Sequence, residues 1–239
     1  MVAFSTAPRR RVPELMDQPG LDEQEHTLAL SWLGRINAVS RAAVPLWTSL
    51  ERLARARRSG AGPLRVLDLA AGGGDTAVVL AKRAERSGLA IEIEGCDLSA
   101  RAVVIAGERA AVRGARVRFF RLDALADPIP EGYDVVMCSL FLHHLGEDEA
   151  VLLLGRMAAA ANRLVLVDDL ARSRMGSWLA WLVCRVVARS RVVQFDGPAS
   201  AAAAFTPAEA LELARRAGLE GATIRRHWPS RFLLSWSRP

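Results

Sequence analysis

Val66-Leu67-Asp68-Leu69-Ala70-Ala71-Gly72-Gly73-Gly74-Asp75 is the stretch that decides the fold of this 239-residue chain. It passes from an apolar segment into three glycines, and a second apolar segment follows over residues 76–80. This order predicts a buried strand, a tight turn and the start of a helix. Glycine lets the backbone approach a ligand closely because it has no Cβ, and the first amides of a helix lack partners within it. We therefore expect a nucleotide-type cofactor at this turn.

The composition is typical of a globular protein, with 51% hydrophobic and 24% charged residues, and this balance argues against disorder. The length allows either one large α/β domain or a domain with an added cap. The formal net charge is +6, from 32 Lys and Arg against 26 Asp and Glu. Because no dense basic stripe with interleaved aromatic residues accompanies this charge, we predict no nucleic-acid partner.

The three cysteines, Cys96, Cys138 and Cys184, lie far apart and form no zinc-ligand spacing. We predict no bound metal, and a sparse, odd number of cysteines fits a reducing compartment. No apolar segment follows Arg9-Arg10-Arg11, as an export signal would require. The apolar segment 175–187 is too short to span a bilayer. We therefore predict a cytoplasmic protein without stable membrane insertion.

Three regions are predicted along the chain. Residues 1–20 contain three prolines and no periodicity, which is typical of a flexible arm. Residues 21–62 show helical spacing of apolar side chains, interrupted at Pro45, and are predicted to form an N-terminal cap of two helices. The main domain is predicted over 63–239, with a lid or substrate-binding insert at about 173–205.

From residue 64 onward, short apolar segments alternate with amphipathic ones, which is typical of βαβ units and of a parallel sheet covered on both faces. The predicted strands are 64–69, 91–96, 117–121, 133–138, 164–167, 222–227 and 232–236. The predicted helices are 75–87, 99–112, 147–161, 175–187 and 206–217. Gly197-Pro198 predicts a loop over 195–205.

Carboxylates stand in or at the ends of four predicted strands, at Asp68, Asp97, Asp123 and Asp168. Ligands of open α/β sheets bind outside the carboxyl ends of the strands. Asp97 follows the glycine turn by about 20 residues, where a carboxylate can accept hydrogen bonds from ribose hydroxyls. A strand carboxylate before the glycines disfavours a pyrophosphate and tolerates a cationic cofactor group. The sequence contains neither the GxGxxG pattern nor a phosphate-binding P-loop.

With these motifs in this order, residues 64–170 resemble the class I S-adenosylmethionine-dependent methyltransferases, and in particular the small-molecule enzymes typified by the ubiquinone-biosynthesis methyltransferases. The motifs are the stretch 66–74, Gly95-Cys96-Asp97-Leu98-Ser99, Leu122-Asp123-Ala124, Tyr133-Asp134-Val135-Val136 and Leu142-His143-His144-Leu145. The resemblance implies an α/β fold with a Rossmann-like seven-stranded sheet, mostly parallel with an antiparallel last strand. Helices are expected on both faces, together with the N-terminal cap and a helical insert after strand five.

The resemblance also implies a set of contacts to S-adenosylmethionine. Ala70, Gly72 and Gly74 would line its methionine end, with Asp68 fixing that turn. Asp97 would hold the ribose, Asp123 and Ala124 would meet the adenine, and Cys138 and Ser139 would pass near its amino-acid part; Leu98 is a further expected cofactor contact. Ala70 departs from the family pattern, which usually has glycine there. Since alanine is small, we expect the turn to survive.

His143 and Asp168 are the candidate catalytic residues, and His144 and Asp169 are candidate substrate contacts. A neutral imidazole can deprotonate a hydroxyl that attacks the methyl group of a sulfonium. The alternative for His143 is a residue that lines the pocket or caps a helix, because methyl transfer often needs only positioning. Either aspartate can orient a substrate or a histidine, or serve as a turn carboxylate paired with an arginine.

Trp178, Phe195 and Phe205 are predicted substrate contacts and favour an apolar or aromatic acceptor. We predict methyl transfer from S-adenosylmethionine, by direct displacement, to a small phenol, quinol or polyketide-like metabolite, at oxygen in the first instance. One alternative is a cofactor-binding or cyclisation partner in a biosynthetic pathway that transfers no methyl group. Another is an RNA methyltransferase, which the missing base-reading motif and RNA-binding module argue against. The identity of the acceptor, the atom that is methylated and the oligomeric state, including a homodimer, are left open.

Overall fold

The computed structural model describes residues 8–17, 20–39, 42–58, 60, 62–188 and 190–239. A seven-stranded sheet has the strand order β3-β2-β1-β4-β5-β7-β6. Its strands are β1 (Leu64–Leu69), β2 (Ile91–Asp97), β3 (Val117–Arg121), β4 (Tyr133–Ser139), β5 (Ala161–Leu170), β6 (Thr223–His227) and β7 (Arg231–Ser237). Strand β7 is antiparallel to both of its neighbours, and the other pairings are parallel. The predicted Rossmann-like sheet is confirmed.

The helices are α1 (Glu23–Val39), α2 (Ala43–Arg55), α3 (Asp75–Arg86), α4 (Ala100–Val112), α5 (Glu147–Ala160), α6 (Arg174–Val187), α7 (Arg191–Ala203) and α8 (Pro207–Arg216), with short 3-10 helices at Leu15–Asp17 and Leu142–His144. Ser99 caps α4, and Thr206 and Glu209 form a capping box at α8, where the sequence places them. Among the described helices, none combines the length and apolar character needed to cross a bilayer.

Side chains of β1 pack on both faces of the sheet because successive strand residues point in opposite directions. Leu67 belongs to a core cluster that includes Leu153 of α5. Val66 belongs to a second cluster, which contains Leu50 of α2 and Leu80 of α3. The two clusters place helices on both faces, so the polar groups of the strands are accessible mainly at the strand ends.

The carboxyl ends of β1, β4 and β5 lie level with one another. Leu69 is opposite Cys138, and Cys138 is opposite Val167. Strand β1 lies between β2 and β4: the chain forms β2 and β3 on one side of β1 and then crosses to its other side to form β4. Such a reversal of strand order opens a crevice at the carboxyl edge. This is the edge at which the predicted carboxylates and histidines collect.

The predicted loop over 195–205 is wrong, because α7 continues through it to Ala203. Pro198 removes one amide donor from the helix, but the alanines that follow it have high helix propensity. Gly197 marks a close helix contact rather than a break, since a Cβ there would lie 2.2 Å from the Sγ of Cys184 in α6. Tertiary packing therefore overrides the local turn signal.

At the N-terminal end there are two helices, as predicted, but they do not separate at Pro45. Helix α1 ends at Val39 and α2 begins at Ala43, so Pro45 lies in the first turn of α2, where a missing amide costs little. Residues 8–17 contact the main domain: the amides of Leu15 and Met16 donate to Asp196 of α7 at 2.7 and 3.1 Å. The mobility predicted for 1–20 stays a prediction, and residues 1–7, 18 and 19 lie outside the described part of the chain.

Candidate active site

The turn after β1 has the left-handed backbone that its glycines suggest. Ala70, Gly72 and Gly74 have φ values of 52°, 53° and 74°. A Cβ on Gly74 would lie 2.7 Å from the Cζ of Phe119, so both conformation and space require glycine there. Gly72 has open space on its Cβ side. Ala70 adopts the left-handed turn despite its methyl group.

Asp97, at the end of β2, holds this turn in place. Its Oδ2 accepts a hydrogen bond from the Gly72 amide at 2.8 Å, and its Oδ1 accepts one from the Ser99 amide at 2.9 Å. An ionised carboxylate has about four lone-pair positions, so both oxygens retain acceptor capacity. Asp97 therefore orders the glycine turn and can still accept hydroxyl groups of a ligand.

Asp68 is buried within β1, and neither of its carboxylate oxygens has a hydrogen-bond partner among the described residues. Burial, together with the charge of Asp97, raises the pKa of Asp68 to about 8. A buried carboxylate without a partner is costly and calls for an explanation. A cationic group of a ligand seated on the glycine turn would supply the missing interaction.

The residues predicted to hold the adenosine differ in their surroundings. The Oδ1 of Asp123 accepts hydrogen bonds from the amides of Leu125 and Ala126 at 2.8 and 3.2 Å, which forms an Asx turn. Ala124 is buried, and Leu98 is exposed. An exposed leucine after Asp97 offers an apolar surface for an aromatic base.

Strand β4 ends with Cys138 and Ser139, the two residues predicted to lie near the amino-acid part of the cofactor. Cys138 is fully buried, and burial raises the pKa of its thiol well above the ordinary value. It is therefore an uncharged core residue. The hydroxyl of Ser139 accepts a hydrogen bond from Arg231 at 3.3 Å.

His143 and Asp169 form a buried pair directly beyond β4. The Nδ1 of His143 lies 2.7 Å from the Oδ1 of Asp169, and the backbone amide of His143 donates to the Oδ2 at 3.1 Å. Burial lowers the pKa of His143, but the charge and hydrogen bond of Asp169, with a contribution from Glu14, outweigh this and raise it to about 9. Burial raises the pKa of Asp169, but the charge and hydrogen bond of His143 outweigh burial and bring that pKa below its usual value.

Asp168 has a different set of partners. Its Oδ1 lies 2.8 Å from the Nε2 of His227, and its Oδ2 accepts a hydrogen bond from Arg231 at 2.8 Å. These contacts join β5 to the β6–β7 hairpin. Of the two adjacent carboxylates, Asp169 is the one that holds His143, whereas the sequence analysis placed Asp168 in the catalytic role.

Glu14 is a site residue that the sequence analysis missed. Its Oε1 lies 3.7 Å from the Nε2 of His143, and its Oε2 lies 3.9 Å from the Nε2 of His144. The Ser200 hydroxyl of α7 also donates to it. Arg9 donates to the carbonyl of His143 at 3.0 Å, which fastens the same segment to the histidines. Nothing in the unpatterned sequence of residues 1–20 signals this long-range contact.

The ligand atoms of Glu14, His143 and His144 all lie within 4.8 Å of one another. Two imidazoles and a carboxylate are donors that suit zinc and similar cations. This arrangement could hold a divalent cation, so the absence of a metal remains a prediction.

The three predicted substrate contacts lie in different environments. Trp178 of α6 and Phe195 of α7 are exposed. Phe205 is buried in the core, and the guanidinium carbon of Arg9 lies 3.6 Å from the centre of its ring. In this structure Phe205 is therefore a packing residue of the core. Trp178 and Phe195 are the two predicted contacts whose aromatic rings are exposed.

A surface hollow of about 470 Å³ lies elsewhere, beside the start of β5. Asn162, Leu164 and Arg238 are among its lining residues, which include no carboxylate or imidazole. We therefore assign the chemistry to the carboxyl edge, where the orphaned Asp68 and the His143–Asp169 pair lie.

Comparison with known proteins agrees with this geometry. Residues 66–163 match the family profile described as "Methyltransferase domain". A demethylmenaquinone methyltransferase of Thermus thermophilus is 38% identical over 108 residues, which are 44% of this chain and 47% of that protein. The aligned region spans about half the length of the curated relatives that the chain matches.

Two solved structures share the fold at low identity. The S-adenosylmethionine-dependent methyltransferase SibL in its apo form has a TM-score of 0.64 at 22% identity, covering 98% of this chain and 64% of that one. Magnesium protoporphyrin IX methyltransferase of Synechocystis PCC 6803, with bound S-adenosylhomocysteine, has a TM-score of 0.58 at 15% identity, covering 93% and 90%. Residues 66–163 thus resemble a methyltransferase domain in sequence, and the whole chain shares the fold of these two methyltransferases.

Proposed function

We propose that this chain transfers the methyl group of S-adenosylmethionine to a hydroxyl of a small, apolar, aromatic acceptor. The observation that carries the proposal is the buried His143–Asp169 pair, with its 2.7 Å contact, directly beyond the strand that pairs with β1. Strand β1 leads into the glycine turn. A proton acceptor and a cofactor seat at neighbouring strand ends are the two components that such a transfer needs.

The residues at the glycine turn fit S-adenosylmethionine. Asp68 supplies an unpaired buried carboxylate for the cationic end of the cofactor, and Asp97 has acceptor capacity for ribose hydroxyls. Leu98, Asp123 and Ala124 would hold the adenine. When bound, the cofactor supplies an electrophilic methyl group on sulfur. The chain then has to align the acceptor oxygen with that methyl and exclude water.

His143 would accept the proton of the acceptor hydroxyl at its Nε2. Asp169 fixes the ring through Nδ1, so Nε2 points to the side where Glu14 lies. With a pKa of about 9, only about 1% of His143 is neutral at pH 7. Proton acceptance therefore improves as the pH rises, or when an acceptor displaces Glu14 from the imidazole. Asp168, bound to His227 and Arg231, has a structural role in this scheme.

The cover over the site would consist of residues 8–17, α1 and the insert helices α6 and α7. Asp196 of α7 binds the amides of Leu15 and Met16, and Arg9 binds the carbonyls of His143 and Leu145. We infer that residues 8–17, α1, α6 and α7 act together as a lid on the domain that begins near residue 63, whereas α2 packs on the sheet.

The acceptor class follows from two facts. The curated relatives carry the name demethylmenaquinone methyltransferase, and the insert presents exposed aromatic side chains at Trp178 and Phe195. The name of the relatives and the exposed aromatic side chains both favour a phenol or quinol with an apolar body as the acceptor. Removal of the hydroxyl proton activates the oxygen and also the neighbouring ring carbon, so methylation at carbon is the second candidate.

The test has a binding arm and a transfer arm. Calorimetry with S-adenosylmethionine should show binding by the wild type and strongly reduced binding by Asp97→Ala. A panel of phenols and quinols with a labelled methyl donor should yield methylated product, and NMR identifies the methylated atom. His143→Gln should lose most turnover and keep cofactor binding, whereas His227→Gln, the control at the other Asp–His pair, should keep both.

Each outcome separates the proposal from its alternatives. Cofactor binding without transfer to any acceptor would favour a non-transferring pathway partner. Full turnover by His143→Gln would remove the proton acceptor from the mechanism. A failure of the wild type to bind S-adenosylmethionine would refute the proposed function as a whole.

A further inference from the structure

Helix α6 presents a row of large apolar side chains to solvent. The exposed fractions are 74% for Met175, 60% for Trp178, 49% for Trp181 and 74% for Val186. Two tryptophans this exposed on one helix are unusual for a soluble surface, where large apolar side chains generally occur singly. The α6 face, defined by these four residues, therefore needs a partner.

Positive charge is interleaved with this apolar surface. Arg174, Trp178, Trp181 and Arg185 follow one another at spacings of four, three and four residues, so they lie along one side of the helix. Both arginines are exposed. The sequence contains no Asp or Glu from 170 to 195. The α6 face is thus apolar and cationic, with no acidic residue in its own segment.

The opposite side of α6 is fixed to the protein. Cys184 is buried in a cluster with Ala29 of α1 and Val193 of α7. At the start of the helix, the hydroxyls of Ser173 and Ser230 lie 3.0 Å apart. The outward face is therefore held in position by packing on the inner side of the helix.

We propose that the α6 face, with Arg174 and Arg185, docks on the anionic surface of a lipid bilayer. Helices that lie in the membrane interface carry Trp and other apolar residues on the buried side and basic residues beside them. Indole rings favour the headgroup level. Arginine side chains extend past apolar neighbours to reach phosphate groups. The composition of the α6 face meets each of these requirements.

Charge argues for a bilayer over a second copy of the chain. In a two-fold dimer the α6 face of one chain would meet the α6 face of the other. The arginines Arg174 and Arg185 of the two copies would then approach one another, and the same segment would supply no acidic residue to pair with them. An anionic lipid surface instead complements both arginines. Docking itself does not depend on methyl transfer, although on the proposed function it would place the lid helices α6 and α7 beside a source of lipophilic acceptor.

Vesicle binding by the full chain tests the proposal. Sedimentation with phosphatidylcholine vesicles containing phosphatidylglycerol should retain the wild type, with a blue shift of tryptophan emission. Pure phosphatidylcholine vesicles should retain much less protein. Trp178→Ser/Trp181→Ser should weaken binding about tenfold or more. Arg174→Gln/Arg185→Gln should weaken it about fivefold per arginine and reduce the dependence on anionic lipid.

Matched controls lie elsewhere on the surface. Leu152→Ser removes an exposed apolar residue of α5, and Arg86→Gln/Arg116→Gln removes the same amount of charge from exposed positions. Both should bind vesicles as the wild type does. Circular dichroism and binding of S-adenosylmethionine report folding of each variant without requiring an acceptor.

Two results would overturn the proposal. One is a wild type that does not bind anionic vesicles although it is folded and binds S-adenosylmethionine. The other is sedimentation equilibrium showing a dimer that Trp178→Ser/Trp181→Ser dissociates, with no vesicle binding, because the α6 face would then be a subunit contact. Neither result affects the proposed transfer reaction, which calorimetry and product analysis measure separately.

Discussion

Asp169→Asn should destabilise the protein by an amount that depends on pH. Asp169 is buried, accepts from the His143 amide and lies 2.7 Å from the His143 imidazole. Together with Glu14, it raises the pKa of His143 to about 9 from the ordinary 6.5. That difference corresponds to roughly 3 kcal/mol of net stabilisation by the surroundings of His143. It combines the favourable effects of Asp169 and Glu14 with the unfavourable effect of burial, which loss of Asp169 would leave in place.

The sign of the pH dependence follows from the direction of the shift. The pKa of His143 is higher in the folded state, so its contribution is fully present below pH 6.5 and is lost as the pH rises through about 9. Asp169→Asn should therefore lower the free energy of unfolding by roughly 3 kcal/mol at pH 6. At pH 10 only the loss of hydrogen bonds should remain, about 1 kcal/mol.

Urea unfolding followed by circular dichroism at pH 6, 8 and 10 measures this effect. Asp148→Asn is the control, because Asp148 is an exposed acidic residue of α5 whose ion pair with Arg216 lies on the surface. Its effect should stay within about 0.5 kcal/mol at every pH. Equal destabilisation by Asp169→Asn at pH 6 and pH 10 would show that the charged pair does not stabilise the fold as reasoned.

Three further outcomes test the cofactor seat and the metal question. Gly74→Ala should cost about 2 kcal/mol in urea unfolding, because its Cβ would press on Phe119, whereas Gly72→Ala should cost about 1 kcal/mol of backbone strain; equal costs would contradict this reasoning. Asp68→Asn should raise the thermal midpoint of the cofactor-free protein near neutral pH, since it removes a buried unpaired carboxyl, and weaken S-adenosylmethionine binding about tenfold or more by calorimetry; unchanged affinity would show that Asp68 does not face the cofactor. Methyl transfer should survive treatment with EDTA, and activity that is lost and then restored by Zn²⁺ would make the cluster at Glu14 a metal site.

The sheet could be predicted because its signals are local. Strands such as β1 and β4 are short apolar segments, and the caps at Ser99 and Thr206 mark helix starts within a few residues of sequence. The turn at 70–74 carries its own conformational signal in glycine. These features depend on neighbours along the chain, so a single sequence contains them.

The partners in the site could not be predicted in the same way. Asp168 and Asp169 are adjacent in β5 and point to opposite faces of the sheet. Which of the two carboxylates contacts His143 therefore depends on where the strand ends. The sequence suggests an end at Val167, but β5 continues to Leu170. Glu14 reaches His143 across 129 positions (143 − 14), and no periodicity reports such a contact. The helix through Gly197 likewise depends on its close approach to Cys184.

The position of β7 has a consequence for how the chain is made. This strand follows β6 in the chain, pairs with β5 and separates it from β6. Until Arg231–Ser237 has left the ribosome, the outer edge of β5 keeps open hydrogen-bonding groups. Asp168 also lacks the guanidinium of Arg231 until then. A nascent chain ending before Arg231 would therefore expose a strand edge and a buried carboxylate together, and such a truncated product is a target for aggregation or proteolysis.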